Sequence, residues 1–252
     1  MKITILGCGP SYGVPSLSRG FGQCDPLTPE NRRTRTAAVV EINGYNILID
    51  SGPDIREQLL RTGIRKIDAL FYTHAHYDHM GGADDLRVLF QDGHQKLPVY
   101  GVKKDLNAFK SLLSYLFEHS DNKNIFELNE IHPRETFSCF GIPITPILQQ
   151  HGNTTSIGYR IQELAYSTDV KFIDEDGFDT LIGISTWILG VVTKNLNQKH
   201  INLDEALSWI NRIQPQKAFL THMGAKMDYH SLCNELPSHI RPCYDGMVIE
   251  IK

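Results

Sequence analysis

The stretch His74-Ala75-His76-Tyr77-Asp78-His79 constrains this chain more than any other. Three imidazoles and a carboxylate follow directly on the apolar run Ile67–Tyr72. That run reads as a strand, and period-two spacing puts His74 and His76 on one side. A turn then lets Asp78 and His79 face a neighbouring position, and Gly81-Gly82 lets the backbone pass close by. Imidazole nitrogens with a carboxylate suit zinc, iron or manganese. One cluster cannot close a metal site, so the fold must bring further ligands to it from distant segments. His151 follows Ile144–Leu148, Asp169 follows Leu164–Ser167, and His222 follows Ala218–Leu220 and Thr221. Singly, each reads as a loop residue after a strand; beside the cluster, they read as ligands.

The rest of the sequence bounds what surrounds such a site. The 252 residues suffice for one large domain with a full core, and no linker, repeat or low-complexity stretch divides them. A single domain over 1–252 is expected. The net charge of −4 argues against stable binding to long nucleic acid. A small phosphorylated substrate remains compatible, because a metal ion supplies local positive charge. Cys8, Cys24, Cys139, Cys233 and Cys243 are odd in number and contain no Cys-x-x-Cys pair. They read as reduced thiols of a cytoplasmic protein. The N-terminal apolar run is too short for a signal peptide. The longest apolar region, Leu181–Val192, is broken by Gly183, Ser185, Thr186 and Gly190. It falls short of the ~20 residues of a membrane helix. No membrane association is expected.

Local signals place the elements. Asn43-Gly44 between Ala37–Ile42 and Tyr45–Ile49 predicts a two-residue hairpin. A first strand is expected at Ile3–Leu6, and a helix from about Asp54 to Arg61, stopped by Gly63. Further helices are expected near Leu86–Phe90 and over Lys104–Glu118. Pro143 and Pro146 mark Ile142–Leu148 as an edge strand. Ile157–Ile161, Leu164–Ser167, Ala218–Thr221 and Val248–Ile251 read as strands, while Leu181–Val192 is ambiguous. Leu203–Ile213 reads as a helix capped by Asn202, with Glu205 three residues on. Arg32-Arg33-Thr34-Arg35 reads first as a solvated basic face. Two packed sheets with helices outside are the expected outcome.

Thr73–His79 match, without departure, the Thr-His-x-His-x-Asp-His motif of the metallo-β-lactamase superfamily, and the sequence resembles that family along its whole length. The resemblance implies an αββα sandwich of two mixed sheets with helices on the outer faces. It implies two divalent ions, zinc first and manganese or iron as alternatives. His74, His76 and His151 would hold one. Asp78, His79 and His222 would hold the other. Asp169 would bridge them together with a hydroxide, and Asp50 would orient ligating histidines. Within the family the chain is most similar to the phosphoribosyl 1,2-cyclic phosphate phosphodiesterase and tRNase Z-like subgroup. The carriers are Gly7–Pro15, Asn31–Thr36, Leu220–Met223 and Tyr244–Met247. His200 matches a histidine that faces the substrate phosphate there, so Asp78 and His200 are the implied catalytic residues. A homodimer is implied as well. One departure stands out: the subgroup's structural zinc uses three early cysteines and a histidine, whereas here only Cys24 remains and Ala225 takes the histidine's place. That third metal is expected to be absent.

The expected activity is hydrolysis of a small cyclic phosphate or nucleotide-like phosphodiester. Thioester or lactone hydrolysis, as in the glyoxalase II and lactonase branches, stays open. Processing of tRNA 3′ ends fits less well with the acidic balance and the lack of an evident tRNA-binding arm. A non-catalytic binding module would be expected to have lost ligands.

Overall fold

The computed structural model describes residues 1–90, 96–117 and 125–251. The chain opens with β1 (Lys2–Gly7), the hairpin β2 (Ala37–Ile42) and β3 (Tyr45–Ile49), and α1 (Ile55–Thr62). Then come β4 (Ala69–Phe71), α2 (Tyr77–Met80), a 3₁₀ helix at Ala83–Phe90, β5 (Leu97–Gly101), α3 (Lys103–Leu112), α4 (Ser114–Phe117) and β6 (Phe126–Glu130). The second half runs β7 (Phe137–Cys139), β8 (Ile142–His151), β9 (Thr154–Ile161), β10 (Leu164–Ser167), α5 (Glu175–Leu181), β11 (Thr186–Gly190), α6 (Leu203–Ile213), β12 (Lys217–Thr221), α7 (Tyr229–Glu235), β13 (Ile240–Pro242) and β14 (Val248–Glu250).

The strands form two seven-stranded sheets, ordered β14-β1-β2-β3-β4-β5-β6 and β13-β12-β11-β10-β9-β8-β7. Both are mixed. In the first, β14 to β3 pair antiparallel and β3 to β6 parallel. In the second, β7 to β10 pair antiparallel and β10 to β13 parallel.

Side-chain alternation explains the layering. Ile3, Ile5, Ala38, Val40, Ile47, Ile49 and Phe71 join Ile144, Ile157, Tyr159 and Trp187 in one core shared by the two sheets. Their neighbours Leu6, Val39, Leu48, Leu70 and Tyr72 pack instead with Ile55, Leu59, Leu106 and Phe109 of the helices. Strands buried on both faces carry the unbroken apolar runs seen in the sequence. The expected two-sheet α/β architecture with outer helices is thus the observed one.

Several local expectations change. β8 is not an edge strand, because β7 lies outside it. However, β7 pairs only with Ile142–Ile144, so Thr145–Gln149 has a strand neighbour on one side alone. Pro146 is tolerated there. The helix expected over Lys104–Glu118 breaks at Leu113, and Glu118 lies outside the described residues. The Leu86–Phe90 helix is a 3₁₀ helix that starts at Ala83. Leu181–Val192 resolves into the end of α5 and all of β11. Among the described residues, no helix is long and apolar enough to cross a membrane.

Candidate metal centre

Every candidate ligand sits just past a strand or at its end. Asp50 follows β3, Thr73–His79 follow β4, and His151 ends β8. Asp169 follows β10, His200 lies beyond β11, and His222 follows β12. Ligands of open α/β sheets gather outside strand carboxyl ends in the same way. Asp50, Asp169 and His222 take left-handed backbone angles, φ 63°, 49° and 57°. Such angles are costly for residues with a Cβ, and they concentrate at functional sites.

The structure brings all the predicted residues together. Ligand atoms of His74, His76 and His151 lie within 4.8 Å of one another, as do those of Asp78, His79 and His222. Asp169 stands between the groups. Its Oδ2 is 3.1 Å from His79 Nε2 and 3.0 Å from His222 Nε2, and its Oδ1 is 3.6 Å from His151 Nε2. His200 Nδ1 lies 3.9 Å from the same Oδ1.

Hydrogen bonds behind the cluster fix which ring nitrogens face it. Thr73 donates its N–H to Asp50 Oδ1 at 2.8 Å and its hydroxyl to Oδ2 at 2.7 Å. The hydroxyl oxygen is then left to accept from His74 Nδ1 at 3.1 Å. His79 Nδ1 also donates to Asp50 Oδ2, at 2.7 Å. The Lys199 carbonyl can only accept, so His151 Nδ1, 3.0 Å away, carries a proton. In His79 and His151 the engaged Nδ1 turns Nε2 toward the cluster, and His74 Nε2 lies 2.8 Å from His76 Nδ1. Sequence reasoning named Asp50 but gave no role to the Thr73 hydroxyl or to Lys199. A backbone carbonyl leaves no side-chain signal.

The donor set fits metal ions. His79 Nε2, His200 Nδ1 and both His222 ring nitrogens are buried with no aligned hydrogen bond. Buried polar atoms rarely stay unpartnered, and His79 Nε2, His200 Nδ1 and His222 Nε2 all face the Asp169 carboxylate. The fields around them are strong. Burial pushes His74 well below the ordinary imidazole value, with His79 adding to it, and lowers His76. Burial opposes charge on His79, yet Asp169 and Asp50 hold that ring well above its usual value. Burial likewise opposes charge on Asp169 and Asp78, but the facing histidines hold both carboxyls below the usual range. Burial, then His222, pushes His200 down to about 3.

Behind His222, the basic run departs from its expected role. Arg32 is exposed, but Arg33 is 2% exposed. The Arg33 guanidinium donates to the carbonyls of Glu30, Met223, Gly224 and Met227 and to Asn31 Oδ1. Asn31 Nδ2 in turn donates to Asp228 Oδ2 at 2.7 Å. Beside Cys24, Gln23 N donates to Ala225 O at 2.7 Å, and Cys24 Sγ lies 4.0 Å from the Gly224 carbonyl oxygen. Beside them, the guanidinium ties the early loop to the segment after His222.

Comparison with known proteins agrees with this geometry. The β-lactamase superfamily domain model matches residues 45–223. The crystal structure of a diphosphatase from the PhnP family superposes with a TM-score of 0.92 at 31% identity, covering 100% of this chain and 98% of that one. An octanoyltransferase of Porphyromonas gingivalis is 32% identical over 98% of this chain and 51% of its own length, so this chain spans about half of that relative. A ribonuclease Z of Clostridium kluyveri is 26% identical over 74% of this chain and 56% of its own. The chain belongs to the metallo-β-lactamase superfamily and, within it, to the PhnP family.

Proposed function

We propose that this chain hydrolyses a small phosphodiester at a pair of divalent ions. The observation that carries the reading is the placement of Asp169 between the His74/His76/His151 and Asp78/His79/His222 groups. Zinc suits the set first, with manganese or iron as alternatives. Divalent ions held there supply Lewis acidity: they neutralise phosphate charge and make water a stronger nucleophile near neutral pH. The chain's own part is positional. Asp50 and Thr73 orient His74 and His79, and the Lys199 carbonyl orients His151. The similarity to a diphosphatase and a ribonuclease supports attack at phosphorus. In a diphosphate esterified at both ends, as in a cyclic phosphate, the attacked phosphorus carries two bridging oxygens.

His200 is assigned to the leaving oxygen. It stands neutral near pH 7 in the free chain, and a bound phosphate anion favours its protonated form. An alkoxide leaving group needs a proton, and a positioned acid contributes about 10²–10⁴-fold. His200→Ala is expected to slow a cyclic ribose phosphate by at least about 10² and p-nitrophenyl phosphodiesters far less. Equal slowing of both would remove His200 from that role.

Thioester or lactone hydrolysis is the second reading, favoured by the acyl-transfer name of the Porphyromonas relative. A turnover panel of cyclic nucleotides, bis-p-nitrophenyl phosphate, S-lactoylglutathione and acyl lactones separates the two. Turnover of the phosphodiesters is expected. Turnover confined to thioesters or lactones would replace the first reading with the second.

A further inference from the structure

β10 ends at Ser167, and the two residues after it are held by side chains. Gln149 of β8 and Ser156 of β9 are directly opposed across the antiparallel pair, so both project from one face. Gln149 Nε2 donates to the Thr168 carbonyl at 2.9 Å and to Ser156 Oγ at 3.0 Å. Ser156 Oγ passes its own hydrogen to the Asp169 carbonyl at 2.9 Å. Thr168 Oγ1 donates to Asp169 Oδ2 at 2.8 Å. Neutral donors thus hold both carbonyls of the turn and one carboxylate oxygen. Gln149, Ser156 and Thr168 are all fully buried.

The surroundings are shaped to admit this arrangement. At Gly158 of β9 an added Cβ would lie 2.5 Å from Gln149 Oε1. At Gly190 of β11 one would lie 3.1 Å from Asp169 N and from Thr168 Cα. Gln149 Oε1 itself is buried with no hydrogen-bond partner among the described residues. An apolar side chain of the same shape would avoid that cost, so core packing alone does not call for an amide here. What the amide adds is its two donated bonds, and both lead to Asp169, whose φ of 49° needs support from its surroundings. The carboxylate gains a fixed rotation as well. With Oδ2 held by Thr168, that oxygen faces His79 and His222, and Oδ1 faces His151.

We infer that Thr168 is a positioning residue that sets the rotation of the Asp169 carboxylate, so that one oxygen serves each ligand group. Gln149 and Ser156 hold the backbone beneath it. All three act through Asp169. The inference rests on the paired-metal reading and adds to it the residues that keep the shared carboxylate in place.

Titration of the full chain with cobalt(II), read from the visible spectrum and by competition with a chelator, tests it. Wild type is expected to take two equivalents. Thr168→Val keeps the side-chain shape and removes the hydroxyl. It is expected to bind cobalt at least about tenfold more weakly and to shift the ligand-field bands. Its metal-free form is expected to melt close to wild type. Thr168→Ser restores the hydroxyl and is expected to restore both affinity and spectrum. Ser156→Ala is expected to weaken cobalt as well, because the Asp169 carbonyl loses its donor. Wild-type affinity and bands in Thr168→Val would overturn the inference. So would a Thr168→Ser chain that binds no better than Thr168→Val, or a metal-free Thr168→Val chain that melts far below wild type. A single equivalent in wild type that still depends on the Thr168 hydroxyl would overturn the pairing of metals and keep the role of Thr168.

Discussion

Asp169→Ala is expected to abolish turnover and to strip metal from both ligand groups, while the fold persists. Asp169 approaches His79, His222 and His151 at once, so its loss affects both groups. Mutating a residue that merely orients a ligand already costs about 10–100-fold in metal affinity or activity. A carboxylate shared by two groups should cost more than about 10²-fold. Removing it also takes one counter-charge away from the buried imidazoles, leaving Asp50 and Asp78 against His79 and Asp78 near His222. The strands do not depend on it, so circular dichroism should change little. More than a tenth of wild-type activity at full metal loading would count against the assignment.

Arg33→Ala is expected to be the most destabilising single change outside the hydrophobic core. It would leave the carbonyls of Met223 and Met227 without their donor, while the Gly224 carbonyl keeps Met227 N and Asn31 Oδ1 keeps Tyr229 N. Each buried acceptor left unsatisfied costs about 1–3 kcal/mol, and breaking a buried charged network costs about 3–5 kcal/mol. Denaturant unfolding should therefore show a loss of about 3–5 kcal/mol. Arg33→Lys should recover only part of it, because a single ammonium cannot reproduce the planar fork. A loss below about 1 kcal/mol would show that the clamp is dispensable. The same residue ties the early loop to the segment after His222.

Much of the site was readable because its ligands sit in strong local patterns. The hairpin around Asn43-Gly44 and the helix Leu203–Ile213, with its reciprocal Asn202–Glu205 cap, have the expected bounds. Signals of this kind depend on neighbours in sequence. Elements that depend on distant partners were missed. α5 carries Gly177 in its interior, where a Cβ would meet Ile173 Cγ2 at 2.4 Å and Ile147 Cγ2 at 3.3 Å. Close packing of helix on strand requires that glycine, yet in sequence it argues against a helix. α7 buries only Leu232 and shows no apolar stripe. β13 is three residues long and alternates only through Arg241. Arg33 reads as surface from its basic neighbours, and only carbonyls about 190 residues away make it core. His200 followed from resemblance alone, since its loop carries no pattern that points it at Asp169.

Metal content tests the central claim most directly. Freshly purified, unchelated protein, analysed for bound elements before and after reconstitution with zinc, manganese or iron, should carry close to two divalent ions per chain. Two equivalents match the two ligand groups that share Asp169. Less than half an equivalent, not raised by any of the three metals, would contradict the account.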